Sequence, residues 1–230
     1  TFGGFCQVFY WKSNDLGKRN FKRNPPSRDA RKIYIFCEGK TRESEYFNFF
    51  EGLDSRVSIR VCFLKGNENN TPEGLLNIAK EKMPICSFEP ENNDEVWIVF
   101  DTDADKFLSR EPQINLVRDY CSKTKNWFHA ESNPCFELWL YYHFAEKPSF
   151  EGFHISKIWK SKLNEFICGG FDSRKYPLFI ADAIENAKSN YIINEAGRPI
   201  VGSTELFKLG ETIYKMMSDK IDRMRKDSEQ

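Results

Sequence analysis

The stretch Ile33-Tyr34-Ile35-Phe36-Cys37-Glu38-Gly39-Lys40-Thr41 constrains this chain more than any other. A short continuous apolar run with a β-branched and aromatic bias fits a strand buried on both faces, and such strands belong to parallel α/β sheets. It runs straight into a carboxylate, a glycine and the start of a helix. Ligands in open α/β sheets collect at the carboxyl ends of strands, which is where Glu38 falls. Val96-Trp97-Ile98-Val99-Phe100 repeats the pattern and ends in Asp101-Thr102-Asp103-Ala104-Asp105.

The segments between and after these runs alternate as an α/β chain should. Tyr46, Phe47, Phe49, Phe50 and Leu53 predict a helix over 41–53 that covers the sheet. Val57 to Leu64 reads as a second strand, and Gly66 to Asn70 as a polar loop. Thr71-Pro72-Glu73-Gly74 has the cap-then-proline grammar of a helix start. Trp127 to Ala130 reads as a further strand, Glu131-Ser132-Asn133-Pro134 as a turn, and Cys135 to Phe144 as a helix apolar almost all round. The last third reads as helices over 155–167, closed by Gly169-Gly170, over 179–193, and from Ser203-Thr204-Glu205 onward. The expected organisation is a basic arm (1–30), an α/β core (31–150) and a helical region packed on it (151–230).

Composition narrows the chemistry. No apolar run approaches the roughly 18 to 20 residues of a membrane helix, and the first residues lack the pattern of a secretion signal, so the expected location is the cytoplasm. Seven cysteines are an odd number with no CxxC pair, and three histidines are scattered, which disfavours zinc, disulfide frameworks and a histidine-built metal site. The 34 basic and 34 acidic residues balance overall. Locally they do not: Lys12 to Lys32 holds eight basic residues against Asp15 and Asp29, with Pro25-Pro26 breaking any helix. Such an arm is either a solvated tail or a contact for phosphates.

Residues two apart on an extended chain point the same way, so Asp101 and Asp103 can converge. Like charges this close need a positive partner. If the two strands are neighbours, Glu38, Asp101 and Asp103 can hold one hard cation or a close pair, with Mg²⁺ or Mn²⁺ the natural choice for carboxylate oxygens and phosphate. The competing reading is that these acids cap the helices that follow them. Glu137, in the first turn of a very apolar helix, must be paired, metal-bound or turned outward, or it favours the helix N-terminus as a cap.

Three blocks carry a resemblance to a known family. Cys37-Glu38-Gly39 with Thr41, Glu43, Tyr46 and Phe47, then Val99-Phe100-Asp101-Thr102-Asp103, then Ser132-Asn133-Pro134-Cys135-Phe136-Glu137-Leu138-Trp139-Leu140 with His143-Phe144, together resemble the RloB family. The likeness runs from about Arg31 to the end of the chain. It implies a Toprim-like, Rossmann-like, mostly parallel sheet flanked by helices, with a helical C-terminal portion, a catalytic glutamate matched by Glu38 and a DxD matched by Asp101 and Asp103. It also implies a place in bacterial phage-defence and restriction loci, often beside an AAA or ABC-type ATPase. Related Toprim nucleases carry a second acid four residues after the first glutamate. Arg42 stands there and Glu43 comes one later, as a metal-ligand candidate displaced by one residue. Asn133 and Glu137 match the family block without an assigned role. The expected function is therefore Mg²⁺- or Mn²⁺-dependent hydrolysis of DNA or RNA, with Lys40 or Arg42 neutralising developing charge, Glu137 contributing to the site, and an oligomer allowed. The alternative is a subunit that binds nucleic acid or an ATPase and does no chemistry.

Overall fold

A computed structural model describes residues 23–39, 41–63, 71–103 and 107–229. Lys40, Asp105, the Gly66–Asn70 loop and most of the basic arm lie outside the described residues.

Five strands form one sheet in the order β2-β1-β3-β4-β5. β1 (Arg31–Cys37), β2 (Val57–Phe63), β3 (Glu95–Asp101) and β4 (Trp127–Asn133) are parallel, and β5 (Ser203–Thr204) joins β4 antiparallel. The expected mostly parallel α/β sheet is what the chain forms. Its alternation explains the apolar runs. Ile33, Ile35, Cys37, Trp97 and Val99 face one core, and Tyr34, Phe36, Val96, Ile98 and Phe100 face another, so neither side of a central strand meets water.

The two faces are covered unequally. α2 (Pro72–Lys82) and α3 (Phe107–Lys123) close the second core through Leu75, Leu76, Ala79, Ile114 and Val117. The first core is larger and takes in α1 (Arg42–Asn48), α4 (Glu137–Tyr141), α5 (Ser156–Phe166), α6 (Ile180–Ser189) and α7 (Leu206–Glu229). Trp139, Trp159, Ile180, Leu209 and Ile213 belong to this one cluster, so residues 151–230 share the core of the sheet domain and supply its fifth strand. The Thr71 side chain accepts the Gly74 amide at 3.1 Å, as its cap pattern predicts. Gly169 and Gly170 hold φ values of +85° and +77° just after α5, which other residues adopt only at a cost.

Three local expectations give way. β4 does not stop at Ala130 but runs through Glu131-Ser132-Asn133, and a cis peptide then joins Asn133 to Pro134. Ser203-Thr204 pairs with that extension and also leads into the expected last helix, Thr204 Oγ1 accepting from the Leu206 amide at 3.2 Å: Ser132 Oγ and Thr204 Oγ1 lie 2.7 Å apart, and Asn133 Nδ2 donates to the Pro199 carbonyl at 2.9 Å. Residues 190–202 form a hairpin with an Ile193–Pro199 bridge, so the helix ends at Ser189. The helix over 41–53 is helical only to Asn48 and finishes in turns. For the β4 extension the polar partners are distant in sequence, whereas the end of the first helix closes on local turn bonds such as Phe50 N–H to the Phe47 carbonyl.

One buried polar contact ties α1 to the turn that follows α4. Tyr46 Oη lies 3.1 Å from His143 Nε2, and His143 Nδ1 lies 3.0 Å from the Trp139 carbonyl. A carbonyl only accepts, so Nδ1 carries the proton and Nε2 accepts from Tyr46. Burial pushes the His143 ring down to about 3, which keeps it neutral. Tyr46→Phe leaves Nε2 buried without a donor, and we expect a loss of about 1–3 kcal/mol in urea denaturation with the same denaturant slope.

Candidate functional site

The strand order places a topological switch at β1 and β3: from β1 the chain steps out to β2, then crosses back to lay β3 on the other side of β1. The carboxyl ends of those two strands stand at that switch, the place where open α/β sheets bind ligands. Glu38 leaves β1 there, and Asp101 and Asp103 leave β3 there.

Side-chain alternation sends these acids to opposite sides of the sheet edge. Cys37 faces the α1–α4 core, so Glu38 turns to the α3 side. Its carboxylate accepts from Arg110 Nη2 and from the Asp101 amide. Asp101, in step with Trp97 and Val99, turns to the α1–α4 side, toward Glu43 and Glu137. Asp103 leaves the extended path altogether, with φ +47°, a left-handed conformation that aspartate tolerates better than most residues. Its amide donates to the Pro134 carbonyl at 3.1 Å, and its Oδ2 accepts from Arg110 Nη1 at 3.0 Å. The pleat expected to align Asp101 with Asp103 is thus broken by the turn.

Gly39 lies against the end of the Glu43 side chain. A Cβ at that position would overlap the Glu43 carboxylate, which accepts from the Gly39 amide and from its own. Glu43, offset by one residue in sequence, is thereby folded back over the β1–α1 turn into the acidic group. Arg42, in the place of the expected second acid, lies 3.3 Å from Glu137 as an ion pair. Glu137 is paired, as its burial requires. Glu38, Glu43, Asp101, Asp103 and Glu137 therefore share one edge. Lys40, a candidate for charge neutralisation, lies outside the described residues.

Crowding is visible in the acidities. Desolvation raises the Glu38 carboxyl to about 7, against the pull of Arg110 and with the charge of Asp103 adding to the rise. Asp101 is pushed well above the usual carboxylate range by burial and then by Glu38, Glu43, Glu137 and Asp103. Glu43 is raised by burial and by Glu137, and the Lys160 charge from α5 opposes the rise. Strongly raised acids in a cleft mark candidate functional sites.

The donor set has the chemistry that a hard divalent cation takes: among the described residues, five carboxylates, oxygen only, outnumber the two arginines paired with them. As they stand, no three acids, cysteines or histidines among the described residues are drawn together as ligands of one ion. The Arg110 guanidinium fills the gap between Glu38 and Asp103 instead. Arg110 is the site residue that sequence reasoning missed. Its helix carries Pro112 and a weak apolar pattern, and the one available signal was an arginine seven residues beyond the DxD, in the first turn after the strand.

The family model described as RloB-like protein matches residues 33–213 of the chain, a span that includes every acid of this edge. No curated protein and no solved structure matches it.

Asp101 gives a direct test of the crowding. Its folded pKa lies above the unfolded value, so its ionisation costs stability at pH 8, and the cost disappears as falling pH returns the proton. Each kcal/mol relieved raises Tm by roughly 2 to 4 °C in a chain this long. In chelator at pH 8, Asp101→Asn should melt at least about 2 °C above the native protein. The difference should shrink toward pH 5, as read by calorimetric scans.

Proposed function

The chain belongs to the RloB-like family, and on that premise we propose that it is a metal-dependent nuclease that hydrolyses phosphodiesters of DNA or RNA using Mg²⁺ or Mn²⁺. In this reading it is the Toprim-type effector of a bacterial anti-phage system and works with a partner ATPase in the cytoplasm. The observation that carries the reading is the convergence of Glu38, Glu43, Asp101, Asp103 and Glu137 at the topological switch, where their mutual repulsion calls for a cation. Among the described residues no helix is long and apolar enough to cross a membrane, in keeping with a soluble substrate.

Glu38, Asp101 and Asp103 would hold the ion, with Glu43 the nearest further carboxylate. Bound there, it would polarise the phosphodiester and lower the pKa of an attacking water. The chain's own contributions are separable. A Glu38 carboxyl poised near neutrality is suited to take or give a proton at physiological pH. Arg42, fixed by Glu137, carries a permanent positive charge at the same sheet edge, suited to a phosphate oxygen. Lys157 and Lys160, exposed on α5, extend that positive character toward the solvent.

A second reading has its own observation. With Arg110 bridging Glu38 and Asp103, the acids are compensated in part without any metal, as a subunit that binds nucleic acid or an ATPase and does no chemistry would require. Cleavage separates the two. Glu38→Ala and Asp101→Ala should each lower Mn²⁺-dependent cleavage of a panel of plasmid DNA, single-stranded RNA and tRNA by at least about a hundredfold, with the far-ultraviolet circular dichroism unchanged. Full activity in both variants would falsify the nuclease reading.

A further inference from the structure

Arg110 joins two carboxylates that arrive from different strands. Nη2 donates to Glu38 Oε1 and Nη1 to Asp103 Oδ2, so one cation bridges the ends of β1 and β3 across the switch. The side chain comes from the opposite layer, in the first turn of α3, and its exposure is 9%. Its Nε is buried with no hydrogen-bond partner. Among the described residues the guanidinium is held by its hydrogen bonds to those two carboxylates, which an outward swing would break.

A guanidinium cannot shed its charge in a protein, and a divalent ion held by the same two carboxylates would lie within a few ångströms of it. Like charges at that range in a partly buried site exclude each other. One or the other can bridge Glu38 and Asp103.

We propose that Arg110 is a positioning residue that occupies the cation place between Glu38 and Asp103, holds the two strand ends in register, and is displaced when a divalent ion binds. The inference rests on the metal-dependent reading above and adds to it a competitor built into the chain. Metal affinity is then set by the difference between two cations for one pair of carboxylates. A phosphate-bearing substrate helps the exchange, because a displaced guanidinium can donate two parallel N–H bonds to a phosphate in place of the single bonds it gave to Glu38 and Asp103. The site thus favours metal when substrate is present and stays closed when it is not.

The test is calorimetric titration of chelator-treated protein with MnCl₂, at one pH and ionic strength, for the native chain, Arg110→Met and Arg110→Lys. Competition predicts about tenfold tighter Mn²⁺ binding by Arg110→Met and near-native binding by Arg110→Lys. A second readout is thermal melting. Arg110→Met should melt below the native protein in chelator, and saturating Mn²⁺ should raise its Tm by more than it raises the native one. Should Arg110→Met fail to fold, Arg110→Gln removes the charge, keeps the polar contacts and carries the same expectation. Native Mn²⁺ binding with equal or weaker binding in the charge-removing variant overturns the competition and leaves the nuclease reading intact. No Mn²⁺ binding by any of the proteins overturns both.

Discussion

Repulsion among carboxylates at one edge of a parallel sheet is the constraint around which this structure is arranged. Apolar residues occupy both faces of β1 and β3, so polar groups on those strands are driven to their ends. The strand order then sets the two ends beside each other. Five acids gathered there would drive the edge apart if nothing opposed them. Two arginines do so from opposite layers, Arg110 from α3 and Arg42 from α1, and each takes a different subset of the acids. Burial does the rest by favouring protonated forms at Glu38 and Asp101.

The aromatic core behind the edge is what makes such a gathering rigid. Tyr46 contacts Phe47, Phe50, Phe136, Trp139 and His143 at ring-centroid distances of 5.1 to 6.3 Å, nearly all edge to face. Tyr46 stands three residues after Glu43, and Trp139 two after Glu137. The carboxylates that face Asp101 are therefore fixed by packing and do not hang from loops. The Tyr46–His143 contact adds direction to that packing, because a hydrogen bond between α1 and the turn that follows α4 sets their rotation as well as their separation.

How far the sequence revealed this depends on whether a signal was local. The apolar runs at Ile33 and Val96, the cap at Thr71, the acids at strand ends and the three blocks resembling the RloB family are contiguous patterns, and the fold and the acidic members of the site follow from them. Arg110 is not a pattern: an arginine in a helix beginning with weak periodicity is usually a solvated charge, and only the return of α3 to the β1–β3 edge makes it a bridge. β4 is a similar case. Glu131-Ser132-Asn133 has turn composition, yet it continues the strand because Arg118, Thr204 and the Pro199 carbonyl, between 13 and 72 residues away, satisfy it. Gly39 was legible as a turn residue, whereas the Glu43 carboxylate folded against it was not.

A second buried acid pair shows why geometry and not acidity singles out the site. Glu131 is also raised to about 7, by burial and by Glu205. It lies within the sheet, opposite Phe100, and its Oε2 accepts from Arg118 at 3.1 Å while Arg118 also donates to the Gly197 carbonyl. Glu205 accepts from Tyr191 at 3.0 Å and from Lys208 at 2.7 Å, and His129 stands 3.3 Å away. Those contacts fasten β4, α3, α7 and the 190–202 hairpin together, with basic partners on several sides and no switch point beside them. At the β1–β3 edge, among the described residues, five acids meet two arginines at the strand ends. The same physical shift in acidity thus marks a joint in one place and, at the β1–β3 edge, a crowding of acids that outnumber the arginines described beside them.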